Sequence, residues 1–105
     1  MKNILVIDDE IDICNNIKAI LTDEGFNIQI AHNSNDAFNC INTNSYNLII
    51  LDVWLDNSKY DGLEILKQIR KNQNVPIIVI SGHGNIDMAV SAIKDGANEF
   101  IEKPF

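Results

Sequence analysis

Asp8 and Asp9 end the apolar run Ile4-Leu5-Val6-Ile7, and Asp52 ends Leu48-Ile49-Ile50-Leu51. Ser81 ends Ile77-Ile78-Val79-Ile80, and Lys103 follows Phe100-Ile101-Glu102. Carboxylates, a hydroxyl and an ammonium from four separate stretches thus stand at equivalent places, each just past an apolar run. Carboxylate oxygens suit a hard divalent cation; a hydroxyl and an ammonium suit phosphoryl oxygens. Taken singly, each residue has a plainer reading: an acid solvated at a strand end, an acid capping a helix, a turn-forming hydroxyl, a surface lysine. Capping accounts for one of the adjacent acids but not for two beside a third. Like charges crowded together repel, so the cluster without a cation is expected to cost stability.

The elements that must position these groups are legible from periodicity. Short apolar runs separated by helix-like segments read as buried parallel strands. In an open parallel sheet the carboxyl ends of the strands share one edge, where ligands bind. The first strand is read as roughly Ile4 to Asp8. Ile13, Ile17, Ile20 and Leu21 then recur at helical spacing, with Gly25 placed to end the helix. Asn27 to Ala31 alternates as an edge strand, and Ser34 is the candidate N-cap of a helix burying Ala37, Phe38 and Ile41. Tyr46 to Asp52 is a central strand. Asp56-Asn57-Ser58 marks a loop, and a helix from about Gly62 turns Leu63, Ile65, Leu66 and Ile69 inward. Pro76 opens a fourth strand that ends at Ser81. Gly82-His83-Gly84 is a turn, and Asn85 caps a helix carrying Met88, Ala89, Ala92 and Ile93. Gly96 closes that helix, and Glu99 to Glu102 is the fifth strand. The pattern predicts a doubly wound α/β fold with a five-stranded parallel sheet.

At 105 residues, 46% hydrophobic and 22% charged, the chain reads as one ordinary globular domain. Its net charge of −7 argues against direct binding of nucleic acid or an anionic membrane surface. Cys14 and Cys40 make no metal-ligand spacing and are read as free, largely buried thiols in a reducing cytoplasm. The N-terminal apolar run is too short for a signal peptide, and no stretch is long enough to span a membrane, so a cytoplasmic location is expected.

Ile7-Asp8-Asp9-Glu10, Leu51-Asp52, Asp61-Gly62, Ile80-Ser81-Gly82, Gly96-Ala97 and Lys103-Pro104-Phe105 resemble, in this order and spacing, the receiver domain of bacterial two-component response regulators. The resemblance covers residues 1–105 and implies a flavodoxin-like strand order 2-1-3-4-5. The loop from Asp52 to Gly62 lacks the usual Pro and is two residues longer than is common. With Ile80-Ser81-Gly82-His83-Gly84-Asn85-Ile86, it resembles the NtrX branch of the NtrC family. That branch implies an ATPase module engaging sigma-54 and a DNA-binding module downstream. The final helix of a receiver is missing after Phe105, so the chain is expected to be truncated before its fifth helix, or to have that face covered by a partner. An exposed apolar strip beside the first and fifth strands is the expected consequence.

The resemblance implies a role for each residue. Asp52 is the phosphoacceptor for a sensor histidine kinase, of the NtrY-like kind. Asp9, Asp52, Asp8 and the backbone carbonyl of Trp54 hold Mg²⁺. Lys103 pairs with Asp52 and then with the phosphoryl group, its direction fixed by a cis peptide to Pro104, and Ser81 donates to the same group. Phe100 is the aromatic of the switch, with ordinary core packing an equal competitor. Trp54 and His83 flank the site and modulate the lifetime of the phosphoryl group, whereas His32 lies outside the constellation as polar surface. The fourth helix and fifth strand are the surface for output domains or a receiver dimer. The implied function is a phosphorylation-controlled switch that catalyses its own modification and controls transcription. The alternatives are a receiver used only for protein contacts and a small-substrate phosphohydrolase, the latter disfavoured by Trp54 where a second Asp is wanted.

Overall fold

Five of the apolar runs form strands: β1 (Asn3–Ile7), β2 (Asn27–Ala31), β3 (Leu48–Asp52), β4 (Ile77–Ser81) and β5 (Glu99–Glu102). Between them lie α1 (Ile11–Asp23), α2 (Ser34–Thr43), α3 (Gly62–Arg70) and α4 (Ile86–Lys94). The structure is a computed structural model that describes residues 2–53, 55, 61–82 and 86–103. The expected Asp56-Asn57-Ser58 loop, the turn at His83-Gly84 and the Asn85 cap lie outside the described residues. All pairings are parallel, and the sheet order is β2-β1-β3-β4-β5, as the family resemblance implies.

The central strands β1, β3 and β4 are apolar on both sides because both faces of the sheet carry cover there. One face packs Leu5, Ile7, Ile49, Leu51, Ile77 and Val79 against α2, α3 and α4, which contribute Ala37, Ile65, Leu66, Ile69 and Ala92. On the other face, Ile4, Val6, Ile28 and Ile80 meet Cys14 and Ile17 of α1. Each fully buried aliphatic side chain contributes roughly 1.5–3 kcal/mol of transfer free energy. Where α1 ends its cover, Ile17, Ile20, Leu21, Ile50, Ile78, Ile80 and Ile101 line an apolar groove of about 210 Å³. It runs across β3 and β4, between α1 and β5, whereas the apolar strip was expected beside the first and fifth strands; no residue of β1 lines it.

Several local expectations shift. Ser34 is the first residue of α2 and is buried, while Asn33 is the N-cap, its side chain accepting from the Asp36 N–H at 2.9 Å. β1 ends one residue before Asp8, and β3 begins at Leu48 instead of Tyr46. Ile20 and Ile93, placed by their spacing among the apolar residues of α1 and α4, are 64% and 48% exposed. Gly25 does end α1: at φ 93° its N–H returns to Thr22 O, and the Phe26 N–H to Leu21 O, leaving few orphan carbonyls. Both cysteines are free, Cys14 buried and Cys40 half-buried. Among the described residues, no helix is long and apolar enough to cross a membrane.

Candidate phosphoacceptor site

The register of the sheet assembles the site. Ile7 pairs with Leu51, so the residues that follow, Asp8 and Asp52, leave the sheet at the same level. Asp52 pairs with Ile80, and Ser81 with Glu102, which brings Lys103 one step beyond Ser81. Two backbone bonds hold the edge beyond the ladder: Lys103 N–H to Ser81 O at 2.7 Å and Val53 N–H to Ile80 O at 3.1 Å.

Asp61-Gly62 closes the site from behind. Asp61 caps α3 by accepting from the Glu64 N–H at 3.0 Å, and the Gly62 N–H donates to Val53 O at 3.1 Å. A Cβ at position 62 would lie 2.0 Å from the carbonyl oxygen of Asp52. Glycine is required because the start of α3 packs directly on the backbone that carries Asp52.

Asp8, Asp9, Glu10 and Asp52 each offer a carboxylate oxygen, and these atoms all lie within 4.8 Å of one another. Lys103 reaches into the group, with Nζ 2.9 Å from Asp8 Oδ2, 3.0 Å from Glu10 Oε1 and 3.3 Å from Asp52 Oδ2. Burial by itself lowers the pKa of the Lys103 ammonium. Its hydrogen bonds to Asp8 and Glu10 and the charges of Asp52 and Asp8 outweigh that, and the pKa is raised. One ammonium leaves three formal negative charges among the four acids. At these separations each repelling pair costs on the order of 3–4 kcal/mol for an effective dielectric near 20.

The donor set fits a hard cation. Asp8 is fully buried; its Oδ1 accepts from the Glu10 N–H at 2.9 Å. Its buried Oδ2 lies 2.9 Å from the Lys103 ammonium and, among the described residues, has no hydrogen-bond partner besides it, which leaves room for a further partner. Buried oxygens of this kind are rare unless an ion or water completes them. All four groups are carboxylates, the chemistry that Mg²⁺ prefers over nitrogen or sulfur.

Asp8, Asp9, Asp52 and Lys103 are therefore brought together. Ser81 is buried at the neighbouring strand end. Phe100, half-buried and paired in register with Val79, packs on the α2–α4 side of the sheet. Trp54, His83 and Pro104, and with them the Lys-Pro peptide, lie outside the described residues. Glu10 was missed as a partner of Lys103, although its place as a third consecutive acid was the signal. His32 is exposed, as expected, but is not mere surface: its Nδ1 lies 3.0 Å from the carbonyl oxygen of Asp8. The buried Cys14 thiol reaches the same oxygen at 3.2 Å. Burial first, then the charge of Asp8, pushes the Cys14 thiol up to about 12.

A five-stranded sheet of this order, with an acid cluster and a lysine on its carboxyl edge, defines a receiver. The response regulator receiver domain family matches residues 4–105, and the chain belongs to that family. Within it the chain is similar to NtrX proteins. It is 51% identical over 104 residues to the putative NtrX-like response regulator of Rickettsia bellii, covering 98% of this chain and 22% of that protein. To the nitrogen assimilation regulatory protein NtrX of Azorhizobium caulinodans it is 50% identical over 104 residues, covering 98% and 23% respectively. A crystal structure of NtrX from Brucella abortus aligns with a TM-score of 0.95 at 48% identity, over 99% of this chain and 24% of that one. The chain thus spans under a quarter of the length of these relatives.

Proposed function

We propose that this receiver takes a phosphoryl group on Asp52 from a sensor histidine kinase in the cytoplasm. The reading rests above all on the Lys103 ammonium, held 3.3 Å from Asp52 and 2.9 Å from Asp8 inside a four-acid cluster. A carboxylate oxygen of Asp52 attacks phosphorus and forms the new O–P bond. The P–N bond of the kinase phosphohistidine breaks, and the imidazole departs with the electron pair. Asp8, Asp9, Asp52 and the backbone carbonyl of Trp54 would hold Mg²⁺, which would supply positive charge to the phosphoryl oxygens. Lys103 neutralises a further oxygen and Ser81 donates a hydrogen bond to another. Phosphoryl transfer proceeds through a loose transition state, so placement and charge account for most of the acceleration. Hydrolysis at the same centre, tuned by Trp54 and His83, resets it.

Phosphorylation adds about −1.5 to −2 charges if the acyl phosphate resembles a phosphoester. Ser81 and Phe100 transmit that change: the Ser81 hydroxyl follows the phosphoryl group and the Phe100 ring repacks on the side of α4. Phe100 carries no hydroxyl, so the switch works through packing alone. The receiver controls transcription as one part of a longer regulator with an ATPase module that engages sigma-54 and a DNA-binding module. Its contacts run through α4 and β5, to those modules or to a second receiver, and an NtrY-like kinase is the donor. The far greater length of the NtrX relatives supports this arrangement.

Incubation with Mg²⁺ and beryllofluoride or acetyl phosphate, followed by Trp54 fluorescence, tests the reading. The wild-type chain responds and Asp52→Asn does not. An equal response from Asp52→Asn removes Asp52 as the acceptor.

A further inference from the structure

The peptide group between Asp8 and Asp9 joins the two adjacent acids, and its orientation sets the direction of both side chains. Its carbonyl oxygen lies just past the end of β1, where the ladder to β2 finishes with the Asp8 N–H donating to Ala31 O at 3.0 Å. That oxygen faces two side-chain donors, Cys14 Sγ at 3.2 Å from α1 and His32 Nδ1 at 3.0 Å from the residue after β2. A carbonyl has no proton to give, so the imidazole must carry its proton on Nδ1. The thiol, protonated at neutral pH, is the second donor. The two donors lie 4.0 Å apart and converge on one acceptor, matching its two lone pairs.

We infer that His32 and Cys14 are positioning residues for the cation site: from the residue after β2 and from α1 they clamp the Asp8 carbonyl and so aim the carboxylates of Asp8 and Asp9. Neither touches the cation. The inference rests on the cation-assisted phosphoacceptor reading. Without the clamp, repulsion among four acids within 4.8 Å favours rotation of the Asp8–Asp9 peptide and splaying of the side chains. With it, the acids meet the cation already oriented, and the ordering cost is met in folding. Groups that orient metal ligands from behind commonly change affinity by about 10- to 100-fold when removed.

Conservative variants separate this role from general stability. His32→Asn keeps an N–H donor near the place of Nδ1, whereas His32→Ala removes it. Cys14→Ser keeps a donor, whereas Cys14→Ala removes it. Mg²⁺ affinity is measured by titration calorimetry on each protein, beside unfolding midpoints in EDTA. The expected result is about tenfold weaker Mg²⁺ binding in His32→Ala and Cys14→Ala, with recovery to within about threefold in His32→Asn and Cys14→Ser. Unchanged affinity in both alanine variants overturns the inference, as does a loss that the Asn and Ser variants share in full. Absence of Mg²⁺ binding by the wild-type chain overturns the phosphoacceptor reading itself, a result distinct from either of these.

Discussion

Lys103 brings one ammonium to three carboxylates of the four-acid cluster, two of them on residues that are almost wholly buried. Replacing it with Met leaves Asp8 and Asp52 facing each other uncompensated. Removing one partner of a buried ion pair costs about 3 kcal/mol, and we expect that loss in urea unfolding without Mg²⁺. Because the folded pKa of Lys103 is raised, its contribution is fully present below the ordinary lysine value and is lost only as pH rises through the higher folded one. The difference between wild type and Lys103→Met is therefore the same at pH 7 and pH 9. Cys14 has the opposite window of interest. Its thiol is pushed up from 9.0 to about 12, so above pH 9 the unfolded chain releases a proton that the folded chain keeps. Stability then falls with pH, by about 1 kcal/mol at pH 10, and Cys14→Ala flattens that limb of the profile. A profile as steep in Cys14→Ala as in wild type would show that the buried thiol is not responsible. The acids and Lys103 were legible because each follows an apolar run. The same logic applies to His32, one residue past Ala31, which reads from sequence as polar surface outside the constellation.

At the scale of elements, the joints between strands and helices rest on contacts that local periodicity does not encode. Gly62 is one. Its sequence signal was a motif; its physical reason is the Asp52 carbonyl, 2.0 Å from where a Cβ would stand. Gly62→Ala must push α3 away from β3, at a cost of about 3 kcal/mol in thermal or urea unfolding. It should also weaken the response to beryllofluoride. Arg70 is another. Its Nε donates to Gly96 O at 2.8 Å, and Nη1 donates to Val75 O at 2.7 Å and Gln73 O at 3.2 Å. Its Nη2 donates to Asn98 Oδ1 at 3.0 Å, an atom that also accepts from the Ile77 N–H. The guanidinium thus ties the end of α3 to the entry of β4 and to the α4–β5 turn. Lysine cannot reproduce the fork, and Arg70→Lys should destabilise by about 2 kcal/mol because carbonyls at the joint lose their donors. An unfolding midpoint within error of wild type would mean that water replaces the guanidinium fully. Nothing in the spacing of Arg70, Gly96 and Asn98 announces this joint. The central strands, by contrast, were readable to within two residues because burial on both faces leaves β1, β3 and β4 almost wholly apolar. Asn33 and Ser34 are both cap-forming residues, and the burial of Ser34 decides between them.

For the molecule as a whole, the sheet separates two tasks. Its faces carry the apolar core, and its carboxyl edge concentrates charge that the core cannot tolerate. The chain has a net charge of −7, and the edge cluster holds four of its acids around one lysine. This concentration makes stability depend on cations in a particular way. A cation that binds the folded state alone stabilises it by about 1.4 kcal/mol at a concentration ten times its Kd. For a domain of this size that corresponds to a rise of about 5–10 °C in Tm. Screening by a monovalent salt acts on exposed charges and reaches buried ones weakly. We therefore expect Tm to rise with MgCl2 well beyond the rise in NaCl of matched ionic strength. Asp9→Asn should lower the Mg²⁺-dependent part while raising Tm in EDTA, since one repelling charge is gone. If NaCl reproduced the whole increase, the cluster would be acting as a screened surface patch, and the divalent site at the sheet edge would have to be abandoned.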